Sequence, residues 1–304
     1  MDALAQIHGT IAETTGTQLG RALREFAESR TALAALGFVV VLAALALLAP
    51  LVAPQNPYDL AQISIMDNKL PPGSRGFSGL LYALGTDDQG RDMLSAILFG
   101  LRLSLAVGIV ATACALAVGT AVGIMAAYVG GRLDTALMRL VDVQLSFPAI
   151  LIALILVALL GKGVDKVVIA LVSVQWAYYA RTIRSSALVE RRRDYIEAAR
   201  GLALPRARIM FRHLLPNAFA PIIVVATVQF AHAIALEATL SFLGVGVPIT
   251  EPSLGLLIAN GYSYMLSGNT WIAFYPGVAL LVVIAAINLV GDRLRDVMNP
   301  RLRR

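Results

Sequence analysis

Five uncharged runs in this chain are each long enough to cross a lipid bilayer, which takes about 20 residues of α-helix. They are Leu33–Ala53, Leu103–Gly131, Val143–Gly161, Leu214–Leu236 and Trp271–Gly291. A sixth run, Val167–Ala180, is shorter, but Lys166 and Arg181 at its ends have stems that can snorkel to the interface. The spacing therefore predicts six transmembrane helices. Hydrophobic residues make up 58% of the chain and charged residues 14%, a balance outside that of soluble domains.

Basic residues set the orientation. With the N-terminus inside, the inner segments hold 3, 2, 9 and 5 Lys or Arg, against 6 outside: Lys69, Arg75, Arg91, Arg102, Lys162 and Lys166. The inverted arrangement reverses that ratio, so the expectation is N-in, C-in. The net charge of +6 reads as topology. A nucleic-acid footprint is disfavoured, because the basic residues flank spans and belong to no soluble domain. Cys114, the single cysteine, falls inside the second span, where a small packing role is expected and no internal disulfide can form. The first apolar run is too long for a signal-peptide core, and no cleavable signal is expected.

Residues 1–30 form an N-terminal inner segment. Leu19, Leu23 and Phe26 fall at helical spacing with Arg21, Arg24 and Arg30 on other faces, which predicts a short interfacial helix; a solvated tail is the alternative. The first span takes 31–53. An outer loop follows over 54–100, irregular from its Pro and Gly content. Its LGTDDQGRD stretch, Leu84–Asp92, has three aspartates, but their spacing departs from a calcium loop, so a turn held by Asp caps is expected. Residues 101–296 hold the remaining five spans, and 297–304 an inner tail.

Ala115, Gly119 and Gly123 at four-residue intervals predict close approach by another helix. Pro148 in LSFPAIL predicts a kink, either architectural or at a translocation path. Asp142 can pair with Arg139 one turn away. His232 and Glu237 are ionisable residues within the fifth span, and such groups are functional candidates. Packing is the competing reading for His232, and escape to the outer interface for Glu237.

The most unusual stretch is polar and basic, Asp194–Asn217, between the fourth and fifth spans. Asp194 and Glu197 have capping-box spacing, predicting a helix from Tyr195. Gly201 weakens its end, Pro205 suits the first position of a second helix, and Pro216 closes that helix. So much ordered polar chain where a minimal loop would serve predicts a docking element over 190–216.

Glu197-Ala198-Ala199, a small residue six positions after Glu197, and Leu215-Pro216 resemble the EAA motif of permeases of ATP-binding-cassette (ABC) importers. In the same order, LGTDDQGRD, MRLVDVQLSFP, EAARGLALPRARIMFRHLLPN, EATLSFLGVGV and NLVGDRLRDVMNPRLR resemble the dipeptide/oligopeptide/nickel branch, in its DppC/OppC-type subunit. The resemblance runs from about residue 80 to the C-terminus. It implies an all-α type I (MetI-like) permease in the cell inner membrane, multi-pass. It assigns ATPase coupling to Asp194, Tyr195, Glu197, Ala198, Ala199, Gly201, Ala203, Pro205, Leu215 and Pro216, and suggests Pro148, His232 and Glu237 for the path. Ala203 departs from the family, which usually has glycine there; the nearby glycine is Gly201, so an earlier or stiffer turn is expected.

The implied partners are a homologous second permease subunit, two ABC ATPases, an extracytoplasmic substrate-binding protein and the bilayer. No phosphate-binding loop or hydrolase motif occurs, so the chain is expected to be non-catalytic and to hold no cofactor, with ATP and Mg bound by the ATPases. Peptide is the expected substrate; nickel, glutathione and opine-like solutes are alternatives within the family. An ion-coupled secondary transporter is the rival from another class, expected to show midplane acids, broken helices and inverted repeats.

Overall fold

The computed structural model describes residues 26–298. The predicted interfacial helix around Leu19 and Leu23 and the last six residues lie outside the described residues. Nine main helices follow one another: α1 (Arg30–Leu47), α2 (Met93–Val129), α3 (Gly131–Ser146), α4 (Ala149–Leu160), α5 (Val164–Glu190), α6 (Asp194–Gly201), α7 (Ala220–Phe242), α8 (Leu254–Tyr262) and α9 (Trp271–Met298). Short turns of helix at Ala49–Val52 and over 206–218 join them.

Four helices, α1, α2, α7 and α9, are long and apolar enough to cross a membrane. Their outward faces carry large apolar side chains such as Val40, Leu47, Ile109 and Leu281, which suits hydrocarbon and not water. The predicted third span is broken: α3 and α4 meet at 90° across Phe147 and Pro148. Pro148 cannot continue a helix from Ser146 and instead stands as N-cap of α4 in an extended conformation. A kink was expected; the chain turns a corner. The predicted fourth span is the first half of α5, a 27-residue helix, about 40 Å long at 1.5 Å per residue.

The other boundaries shift. α2 starts ten residues before Leu103 and α9 continues past Gly291 to Met298, while α7 starts later than expected, at Ala220 and not Leu214, and runs on to Phe242. α8 is absent from the sequence reading, its nine residues being too few for a span. Ser253 caps it, and Gly255 and Gly261 let it press against the backbones of Ala238 and Ala273.

α2 and α5 form the central pair. A methyl on Gly119 would sit 2.3 Å from the Trp176 carbonyl oxygen, and one on Gly123 2.0 Å from Ile183 Cγ2. The small-residue ladder thus does what its spacing predicts. Tyr179 is buried in this pair, and Cys114, expected to pack, is exposed on the outer surface of α2.

The loop before α2 is organised by carboxylates. Asp67 accepts from Phe77 N–H at 2.7 Å and Tyr82 Oη at 3.1 Å, steadying a hairpin of β1 (Ser74–Arg75) and β2 (Leu81–Tyr82). Asp87 accepts from Gln89 and Arg91 N–H, both at 2.9 Å, and pairs with Arg91 Nε at 2.6 Å. Asp92 caps α2 by accepting from Ser95 N–H at 2.8 Å. These are the Asp-held turns the sequence predicts. Trp271 Nε1 donates to the Thr86 carbonyl at 3.2 Å and ties the loop to α9.

Candidate functional site

The polar segment after α5 folds as a hairpin. α6 begins at Asp194, with Arg193 as N-cap and no side-chain cap, so the expected capping box does not form. Its acidic first turn, Asp194 and Glu197, still complements the helix dipole. Tyr195 Oη donates to Glu190 Oε2 at 3.0 Å; burial and that bond push the hydroxyl up to about 12.

α6 has two faces. Ile196 and Ala199 are buried against Ile124, Ala127 and Ile183 of the central pair and against Ile209 and Leu214. Asp194, Glu197, Ala198 and Gly201 point away and are exposed, and Leu202, just past the helix, is 75% exposed. An apolar anchor below and a shallow Ala/Gly surface above make a surface another chain can approach closely.

The turn lies at Ala203 and not at Gly201. Ala203 is left-handed at φ 52°, while Gly201 remains helical. Pro205 is the N-cap of the next helical turn, Arg206–Arg208, and not its first residue as expected. A wide π-helical turn, Ile209–Leu214, and Leu215–Ala218 carry the chain towards α7. Pro216 does not close the segment: it falls in a first turn, where its missing N–H costs little.

The hairpin is fastened to the spans. Arg191 Nη1 donates to the Ala127 carbonyl at 2.8 Å, at the end of α2. Arg184 grips Asp134 with two bonds of 2.6 Å, and Arg181 pairs with Asp142, so α3 is held to α5. Asp142 therefore pairs across helices and not with Arg139, as local spacing suggested.

The three path candidates separate. His232 is exposed to a cavity of about 350 Å³ between α4, α5 and α7, which Gln175, Tyr178, Gln229 and Thr239 also line. Pro148 precedes two further wall residues, Ala149 and Ile150. Glu237 lies elsewhere: it is 0% exposed and accepts from Ser104 Oγ at 2.6 Å and Ser241 Oγ at 2.8 Å. It neither reaches an interface nor faces this cavity; it joins α2 to α7. Gln175 and Gln229 were missed, although two amides in otherwise apolar runs are a usable signal.

The family of binding-protein-dependent transport system inner membrane components matches residues 119–304, and the N-terminal transmembrane domain of oligopeptide transport permease C matches residues 17–72. The chain is 37% identical over 278 residues to the dipeptide transport system permease protein DppC of Escherichia coli (strain K12), covering 91% of each. It is 35% identical to DppC of Haemophilus influenzae, covering 91% of this chain and 93% of that one. A putative peptide transport system permease of Brucella suis is 44% identical over 225 residues, 74% of this chain and 75% of its own. Among solved structures, an inward-facing MetNI methionine ABC transporter superposes with a TM-score of 0.55 at 21% identity, over 67% of this chain and 97% of that one; this likeness shows the fold.

Proposed function

The chain belongs to the inner membrane components of binding-protein-dependent transport systems, the permeases of ABC importers, and on that premise we propose that it carries di- or oligopeptides through a path shared with a second, homologous permease. It is a membrane permease, and ATP hydrolysis belongs to separate ATPase subunits. Peptide as cargo is supported by the names of relatives that match over most of their own length.

One observation carries the coupling role: Ile196 and Ala199 of α6 are buried in one apolar cluster with residues of α2, α5 and the Ile209–Leu214 turn, while Asp194, Glu197 and Ala198 are exposed. A helix anchored in this way transmits a push. An ATPase gripping the free face moves the inner ends of α2 and α5, the pair with the closest backbone contact. Two ATPases, bound with ATP and Mg, and an extracytoplasmic binding protein complete the machine. Six membrane helices with both ends inside fit the basic residues of the hairpin and the tail.

The corner at Pro148 is the kind of broken helix an ion-coupled transporter would also use. Family membership favours the ATP-driven reading, under which a proton ionophore leaves uptake intact while ATP is maintained. The cargo is tested by reconstituting the complete importer and measuring its ATPase rate with binding protein loaded from a panel of dipeptides, longer peptides, glutathione and nickel. Stimulation by peptides is expected; stimulation by nickel or glutathione alone would overturn the peptide assignment.

A further inference from the structure

A second cavity, of about 670 Å³, lies between the last turn of α2 and the hairpin. Met125 and Val129 of α2 line it with apolar surface, and Arg191, Arg200 and Arg206 line it with positive charge. Arg191 is fixed there by its bond to the Ala127 carbonyl at 2.8 Å. Arg200 and Arg206 are exposed, and among the described residues neither has a carboxylate within 4.0 Å. No acidic residue lines the cavity among the described residues. Three like charges gathered without a counter-ion favour an anion between them.

The apolar side belongs to a membrane span. α2 is long and apolar enough to cross a bilayer, and it carries no charged residue from Leu103 to Val129. Val110, Cys114, Val118, Met125 and Val129 are exposed along it at helical spacing, a stripe about 28 Å long at 1.5 Å per residue. The stripe runs into the cavity where the span ends. Hydrocarbon along the span and guanidinium groups at its end match an amphiphile with an anionic head, and basic pockets beside span ends take phospholipid headgroups. A soluble ATPase can reach the hairpin but not the stripe. Glu197, Ala198 and Gly201, on the free face of α6, take no part in lining the cavity.

We propose that this cavity holds one anionic phospholipid from the leaflet on the hairpin side, its phosphate among Arg191, Arg200 and Arg206 and an acyl chain along Met125 and Val129. The site is independent of the cargo. It adds a lipid bridge to the hairpin: Arg191 is tied to the end of α2, while Arg200 and Arg206 belong to α6 and to the helical turn after it. One headgroup gripping all three holds the hairpin against the span.

The test uses the complete importer in vesicles of equal parts phosphatidylcholine and phosphatidylglycerol, with a trace of either lipid carrying a photoreactive group on its acyl chain. In the wild type, the phosphatidylglycerol probe is expected to label the Met125–Val129 end of α2 about tenfold more than the phosphatidylcholine probe. Arg200→Gln with Arg206→Gln is expected to bring that ratio within about twofold. Arg192→Gln with Arg212→Gln, which removes the same charge from exposed residues that do not line the cavity, is expected to leave it unchanged. Equal labelling by the two probes in the wild type overturns the site, whatever the variants do. An equal drop in both variant pairs also overturns it, because it shows diffuse surface charge. Loss of label on adding soluble glycerol phosphate would show an anion site without a lipid. Unchanged labelling in the Arg200 and Arg206 pair, with the ATPase lost from the complex, would assign these arginines to the ATPase and overturn the lipid.

Discussion

The backbone N–H of Leu204 donates to the carbonyl of Ala199 at 3.2 Å and closes the C-terminus of α6. Ala203 N–H donates to the Arg200 carbonyl at 2.9 Å beneath it. The two bonds make a Schellman turn, whose C′ position needs a left-handed residue and usually takes glycine. Here it is Ala203, at φ 52°. The family glycine that this chain lacks is thus missing at the one position where the backbone calls for it.

Ala203→Gly is expected to stabilise the hairpin by about 0.5–1 kcal/mol. The left-handed penalty of about 1–2 kcal/mol is relieved, less the entropy cost of glycine. Ala203→Val is expected to destabilise it, because β-branching worsens the same clash. Hydrogen exchange of the α6 amides measures both; a slower exchange in the valine variant would contradict the strain at this turn.

Gly123 lies where a methyl would fall 2.4 Å from the Ala180 carbonyl oxygen as well as against Ile183. Backbone cannot move aside as a flexible side chain can. Gly123→Ala is expected to cost about 1–3 kcal/mol, the range for overpacking, and to lower the melting temperature of the purified protein. Gly277, with nothing within 4 Å of an added methyl, is the matched control and is expected to tolerate alanine in that respect.

The membrane class, the α2–α5 contact and the hairpin were legible because each depends on local pattern. Apolar run length reports a span, four-residue glycine spacing reports close backbones, and a polar block between two spans reports an element with a task. What was not legible depends on long-range partners. Asp142 pairs with Arg181 and not with the nearer Arg139 because α3 packs along α5. Ala203 took the turn from Gly201 because the buried face, Ile196 and Ala199, sets where α6 must stop. Glu237 looked like a path residue in an apolar run; the hydroxyls that satisfy it come from Ser104, far along the chain, and Ser241.

Glu237→Ala is expected to lose the hydrogen bonds from Ser104 and Ser241, worth about 0.5–1.5 kcal/mol each, and to loosen α7 from α2. The readout is a drop in melting temperature larger than that of Glu237→Gln, which keeps an acceptor for one serine. Equal stability of alanine and glutamine variants would show that the carboxyl group is not the tie.

Tyr82 carries a pH prediction for the outer loop. Burial, then the hydrogen bond to Asp67 and its charge, push the hydroxyl up to about 12 from its ordinary value of 10.0. A value raised by folding means that the stabilisation is fully present below pH 10 and is lost as pH rises through about 12. The difference in tyrosinate absorbance between wild type and Tyr82→Phe is expected to titrate near 12. Titration near 10 would mean that the Asp67 bond is not held.

The most direct test of the account is site-specific crosslinking from α6 in the complete importer, with Cys114 replaced by serine so that one thiol remains. Ala198→Cys and Leu202→Cys, both on the free face, are expected to crosslink to an ATPase subunit and to be shielded from a soluble maleimide in the assembled complex. A maleimide reaction as fast in the complex as in the isolated chain, with no crosslinked ATPase, would contradict the coupling role of this helix.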